Sequence, residues 1–158
     1  MATGLVVYYS RSGNTKTMAK AIADAMNGAG VSTDCRSVTD VHIDDLLKVD
    51  VIVVGSPTYY GRAAAPIAKF FDDTVSKHGK LDGKLGAAFS SSANTAGGNE
   101  TTICEINNML LIHGMIIQGD PQGDHYGPVS ISKPDQKVLE QCTRRGQRIA
   151  ALAKKLFG

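Results

Sequence analysis

The chain has 158 residues, 42% of them hydrophobic and 20% charged, with 17 Lys and Arg against 15 Asp and Glu. That length suits one domain, residues 1–158, with a core of its own, and a net charge of +2 without a basic run argues against nucleic acid as a partner. Three scattered cysteines, Cys35, Cys104 and Cys142, form no C-x-x-C pair, and the four histidines show no ligand spacing, so neither a disulfide framework nor a metal site is expected.

The chain opens on an apolar run, Leu5, Val6, Val7, Tyr8 and Tyr9, with no polar alternation. Both faces of such a strand are covered, as in parallel sheets flanked by helices. Ser10, Arg11, Ser12, Gly13, Asn14 and Thr15 follow, and then residues 16–26, where Met18, Ile22 and Met26 recur every four residues as in an amphipathic helix. Hydroxyls and free backbone N–H groups at a helix start, backed by the helix dipole, hold a phosphate, and Arg11 adds charge. Ser12 or Asn14 capping the helix is the other reading of the same residues. The loop matches neither G-x-G-x-x-G nor G-x-x-x-x-G-K-[ST], so a monophosphate fits it better than a dinucleotide or a triphosphate. The start of the chain shows no basic flank before its first strand, and its longest apolar stretch, residues 109–117, is broken by His113. A cytoplasmic protein without membrane insertion is therefore expected.

Further along, Val31, Thr33 and Cys35 alternate with polar residues, the pattern of a half-exposed edge strand. A short helix is expected over residues 43–47, and an apolar strand over 51–54 ends at Gly55, Ser56 and Pro57. A helix after Pro66 carries Ile67, Phe70, Phe71 and Val75 on one side. A strand at 85–89 runs into a Ser/Asn/Gly loop over 90–98, then come a helix at 101–113 stopped by Gly114 and a last strand at 115–117. After a loop over 119–127, the terminal helix turns Val138, Cys142, Ile149, Leu152 and Leu156 to the sheet, and Lys137, Arg144, Arg145, Arg148, Lys154 and Lys155 to water.

Five strands alternating with helices, the second of edge type, predict an α/β fold: a doubly wound five-stranded parallel sheet of order 2-1-3-4-5 with helices on both faces. Ligands of such sheets bind outside the carboxyl ends of the strands, where the loops after strands one, three and four all fall. Tyr59 and Tyr60, on a turn from Ser56 to Arg62, offer flat faces for a ring system, and Gly61 permits close approach, although turn tyrosines also pack on a following helix.

The runs SRSGNT, SPTYYGRAAAPIAKFFD, FSSSANTAGGNETTICEINNMLLIHGM and SKPDQKVLEQCTRRGQRIAALAKKL, in collinear order over nearly the whole chain, resemble flavodoxin-like flavoproteins and most of all the WrbA-type NAD(P)H:quinone oxidoreductases. The resemblance implies FMN as cofactor. Its phosphate would lie on Ser10, Arg11, Ser12, Gly13, Asn14 and Thr15, and its ring beside Pro57, Thr58, Tyr59, Tyr60 and Gly61. Ser91, Ser92, Ala93, Asn94, Gly97 and Gly98 would line the other side, and His113 matches a histidine that touches FMN in the family. Read from its neighbours alone, His113 is only a charge near a helix C-terminus. Two family segments, between strands two and three and after strand five, are much shorter here, and the tryptophan used near the family's substrate is absent. The resemblance implies a homo-oligomer, although those shortened segments are ones that help build the family's tetramers. Asp124, His125 and Tyr126 are read as surface-loop residues within reach of a neighbouring copy's flavin.

A flavodoxin proper passes single electrons to redox proteins and carries a stacking aromatic in the loop after strand four, where residues 91–99 have none. No acid stands between Ser56 and Phe71, where Arg62 and Lys69 do. At an effective dielectric near 20, one negative charge about 6 Å away would cost a reduced, anionic flavin roughly 2.8 kcal/mol. The expectation is two-electron transfer from NAD(P)H to a quinone-like acceptor, with one-electron carriage between protein partners as the alternative. A phosphoacceptor receiver of the same fold is excluded, because Ser10 and Ser56 stand where it needs acids.

Overall fold

The protein was analysed as a computed structural model that describes residues 1–158. β1 (Thr3–Tyr8) lies inside the sheet, paired in parallel with β2 (Ser32–Ser37) on one side and β3 (Val51–Tyr59) on the other. β5 (Leu85–Ser92) follows beside β3 and β6 (Ile116–Ile117) closes the edge, giving the order β2-β1-β3-β5-β6. The expected five-stranded order is therefore observed. Two further strands complete the sheet: β4 (Arg62–Ala63), antiparallel to the end of β3, and β7 (Val129–Ile131), parallel to the end of β5. The last strand of the expected sheet is thus split, with β6 beside Leu85 and Gly86 and β7 beside Ser90 to Ser92.

Side chains of a strand point alternately to its two faces, and both faces are filled. Val6, Val53, Ala87 and Phe89 pack with Met18, Ile22 and Met26 of α1 (Asn14–Gly28) and with Cys142, Ile149 and Ala153 of α4 (Gln136–Phe157). Leu5, Val7, Ile52, Val54 and Ala88 pack with Ile67, Phe70 and Phe71 of α2 (Ala65–Asp73) and with Ile103, Ile106 and Leu110 of α3 (Asn99–Ile112). No helix is long and apolar enough to cross a membrane.

Three expectations are corrected. Val75 is 74% exposed, because α2 ends at Asp73 and residues Thr74–Lys77 form a 3₁₀ turn, whose tighter period brings Thr74 inward in its place. In α4 the inward stripe is Cys142, Arg145, Gly146, Ile149, Ala150 and Ala153, so Arg145 is buried rather than solvated and Leu156 is 44% exposed. The stripe is narrow because α4 lies close on α1, and small residues set that distance. A Cβ on Gly146 would stand 2.5 Å from the Ile22 carbonyl oxygen and 2.7 Å from the Ala25 Cβ. Gly146→Ala should therefore destabilise the protein by about 1–2 kcal/mol, overpacking outweighing the ~1 kcal/mol that alanine gains in a helix. A urea midpoint shifted downward with an unchanged slope would show it.

The third correction concerns His113. It sits at the C-terminus of α3, at the edge of the sheet where the strands begin, and its Nε2 lies 2.8 Å from Thr74 Oγ1. The Thr74 hydroxyl donates to the Phe71 carbonyl at 2.6 Å, so it accepts from His113 Nε2–H and leaves buried Nδ1 without a partner. Burial, and secondarily His78, lowers the His113 pKa below the ordinary histidine value. The unfolded chain then takes up a proton near pH 6.5 that the folded chain refuses, so stability is level above neutrality and falls as pH drops through about 6.5. Denaturant midpoints at pH 7.5 and 5.5 should differ in the wild-type protein and differ less in His113→Gln.

Candidate functional site

The carboxyl ends of β1, β3, β5 and β7 meet around a cleft of about 330 Å³. Its first wall is the loop after β1. Ser10 Oγ accepts from the Gly13 N–H at 3.0 Å and folds that loop back on itself. Gly13 then enters α1 with φ 100°, a left-handed conformation that other residues adopt at a cost. No side chain caps α1, so neither Ser12 nor Asn14 closes the helix start, and its first-turn N–H groups are left for a ligand. Arg11, Ser12, Asn14 and Thr15 line the cleft, and the Thr15 hydroxyl, 1% exposed, meets Ser91 Oγ at 2.9 Å.

The second wall comes from β3, which runs past Val54 to Tyr59 and turns back through β4. The expected rigid turn is therefore a β-hairpin, Tyr59 opposite Arg62, with Tyr60 (φ 53°) and Gly61 (φ 74°) as a two-residue turn of primed type. Its tip is fastened to the start of α3. Thr101 Oγ1 donates to the Gly61 carbonyl at 2.6 Å, and Glu105 Oε2 accepts from the Ala63 N–H at 2.6 Å. Pro57, Thr58 and Tyr59 line the cleft, whereas Tyr60 projects wholly into solvent.

Ser91, Ser92 and Ala93 form the third wall. Ser90 Oγ lies 3.0 Å from Thr58 Oγ1, tying β5 to β3 at the cleft floor. Ser92 donates to the Asn94 carbonyl and accepts from Asn99 Nδ2, which curls residues 93–98 outward. Asn94, Gly97 and Gly98 belong to that outer curl and do not line the cleft, and Gly98 (φ 90°) abuts the Gly61 backbone. Ser132, just past β7, supplies a wall residue that sequence reasoning missed; its hydroxyl donates to the Ala93 carbonyl at 3.3 Å. His113, on the opposite edge of the sheet, is not part of the cleft.

Electrostatically the cleft is simple: Arg11 is its only charged residue, and no carboxylate, histidine or thiol lines it. Of the two cations expected nearby, Lys69 is neutralised by Asp73 at 2.7 Å and faces a different groove, between α2 and residues 38–43. Asp124, His125 and Tyr126 border a separate groove of about 210 Å³ against the start of α3.

Residues 5–111 match the family described as "Flavodoxin domain". This chain belongs to the flavodoxin-domain family. Among relatives of this flavodoxin-domain protein, the "NAD(P)H dehydrogenase (quinone)" of Azorhizobium caulinodans is 34% identical over 200 aligned positions that cover all of both chains. The "Flavodoxin" of Aquifex aeolicus is 37% identical over 159 positions, covering 95% of this chain and 86% of that one. A solved flavodoxin from the domain Archaea superposes with a TM-score of 0.81 at 36% identity, over 96% of this chain and 99% of the other. The WrbA-like flavodoxin of Agrobacterium tumefaciens shares the fold, with a TM-score of 0.84 at 24% identity and 99% coverage of both chains.

Proposed function

We propose that this protein is an FMN-dependent oxidoreductase passing electrons from NAD(P)H to quinones or similar small acceptors, with residues 1–158 working as one domain. The observation that carries the reading is the uncapped start of α1, presented with hydroxyls to a cleft that holds no carboxylate. These residues fit a flavin mononucleotide. Ser12, Asn14, Thr15 and the first-turn N–H groups of α1 would hold its phosphate, with Arg11 adding charge. Pro57, Thr58 and Tyr59 would lie on one side of the ring, and Ser91, Ser92 and Ala93 on the other. FMN, when bound, supplies a ring that takes up and returns two electrons. The protein's part is to position it and leave one face open: the curl over residues 93–98 brings no aromatic side chain to cover that face.

Full-length relatives named for quinone-dependent NAD(P)H oxidation support the activity. No side chain is assigned as acid, base or nucleophile: no carboxylate, histidine or thiol lines the cleft, and its hydroxyls have no such group beside them there to activate them. Oxidation of NADH or NADPH by the FMN-loaded protein with benzoquinone present tests the reading, and failure with both would end it.

One observation favours a second reading, a one-electron carrier. The Aquifex flavodoxin aligns over 159 positions, almost this chain's own 158, whereas the Azorhizobium dehydrogenase needs 200. A potentiometric titration with two well-separated one-electron couples, the second of low potential, would favour the carrier.

A further inference from the structure

The first two turns of α3 reach two walls of the cleft with side-chain hydrogen bonds. Asn99 Nδ2 donates to Ser92 Oγ at 2.9 Å, on the wall that β5 forms. Thr101 Oγ1 donates to the Gly61 carbonyl at 2.6 Å and Glu105 Oε2 accepts from the Ala63 N–H at 2.6 Å, both on the hairpin of β3 and β4. The next N–H, of Ala64, is taken by Ser56 Oγ at 2.8 Å. One helix therefore ties together the two walls that face each other across the cleft.

Glu105 differs from the other ties in its charge. From Thr101 to Gly119 it is the single Asp, Glu, Lys or Arg. It forms no salt bridge, not even with Arg62, the neighbour of Ala63. A half-buried carboxylate without a counter-ion is costly unless hydrogen bonds compensate it, and this one takes a backbone N–H from 42 positions away. β4 is a short strand whose turn closes on the pair of Tyr59 and Arg62, so the Ala63 N–H points away from β3 and has no ladder partner. Ala63 is itself 1% exposed. Without the carboxylate this donor would be buried and unpaired, and the hairpin would have to swing off α3 to reach water. Tyr59 would swing with it, out of its place in the cleft.

We propose that Glu105 is a positioning residue: by reaching from α3 to the Ala63 N–H it sets the hairpin at the angle that presents Thr58 and Tyr59 to the flavin ring. The proposal rests on FMN occupying the cleft. Glu105 does not line that cleft and acts only through the hairpin. Its reach and its acceptor oxygen are what matter, and its charge is secondary.

The test separates reach from charge in the full chain. Glu105→Gln keeps the length and an acceptor oxygen but removes the charge, whereas Glu105→Asp keeps the charge and is one methylene too short. Deuterium exchange of the Ala63 amide, followed by NMR before FMN is added, reads the tie itself, with the Ile22 amide of α1 as control. Titration with FMN, read by flavin fluorescence, then reads the site. In Glu105→Asp, Ala63 should exchange about tenfold faster with Ile22 unchanged, and FMN affinity should fall about tenfold, the scale of one hydrogen bond to a charged group. Glu105→Gln should stay within about threefold of the wild-type protein in both, because a neutral acceptor keeps part of that bond. Unchanged Ala63 exchange in Glu105→Asp would overturn the proposal. So would wild-type FMN affinity in a variant whose Ala63 exchanges faster, or a loss in Glu105→Gln equal to that in Glu105→Asp, which would trace the effect to the charge. A wild-type protein that protects Ala63 yet takes up no FMN would instead end the FMN reading, and the proposal with it.

Discussion

Removing two hydroxyls together, as Ser12→Ala with Thr15→Ala, should weaken FMN binding at least about a hundredfold, since hydrogen bonds to a charged group contribute about 1.5–3 kcal/mol each and 1.4 kcal/mol is tenfold. Both residues line the cleft beside the start of α1, whose N–H groups are unpaired by any cap. Those N–H groups remain in the variant, so binding should weaken without being abolished. Thr15 is buried and touches Ser91, so circular dichroism should first establish that the variant is folded. Fluorescence titration with FMN then reads the affinity. Unchanged affinity in a folded variant would mean that the phosphate lies elsewhere.

Gly98→Ala should destabilise the protein by about 2–4 kcal/mol, combining the left-handed backbone penalty with overpacking. At φ 90° the residue sits where a side chain is strained, and a Cβ there would lie 2.6 Å from the Gly61 Cα. That neighbour is backbone, so relief must come from moving the hairpin of β3 and β4 away from α3. The Thr101 bond to the Gly61 carbonyl is the first contact at risk. Because the hairpin carries Tyr59 into the cleft, FMN affinity should fall along with the thermal midpoint. A lower midpoint with undiminished FMN affinity would show that the hairpin tip and the cleft are mechanically independent.

Much of this was legible in the residues, for reasons that differ from place to place. Leu5 to Tyr9 and Val51 to Val54 read as buried parallel strands because strands covered on both faces lose polar alternation. Once these were central, topology alone brought the loops after β1, β3 and β5 to one edge. The loop from Ser10 to Thr15 read equally as a phosphate cradle and as a helix cap, and the structure shows no side-chain cap there. What escaped depends on contacts distant in sequence. β4 is two residues long and is held by Thr101 and Glu105 some forty positions away. β7 is three residues, too short for a period, and with it Ser132 went unnoticed. Arg145 looked like one of several solvated cations, and only the approach of the segment before β7 makes it buried. His113 was assigned by resemblance to the flavin, yet in this chain α3 carries it to the far edge of the sheet.

The central claim is that this cleft holds FMN and that a nicotinamide reaches it. The most direct measurement is the visible spectrum of the FMN-loaded protein, followed anaerobically as NADPH and then benzoquinone are added. The account predicts loss of the flavin absorption on NADPH and its return on the quinone. A spectrum unmoved by either NADPH or NADH would contradict it.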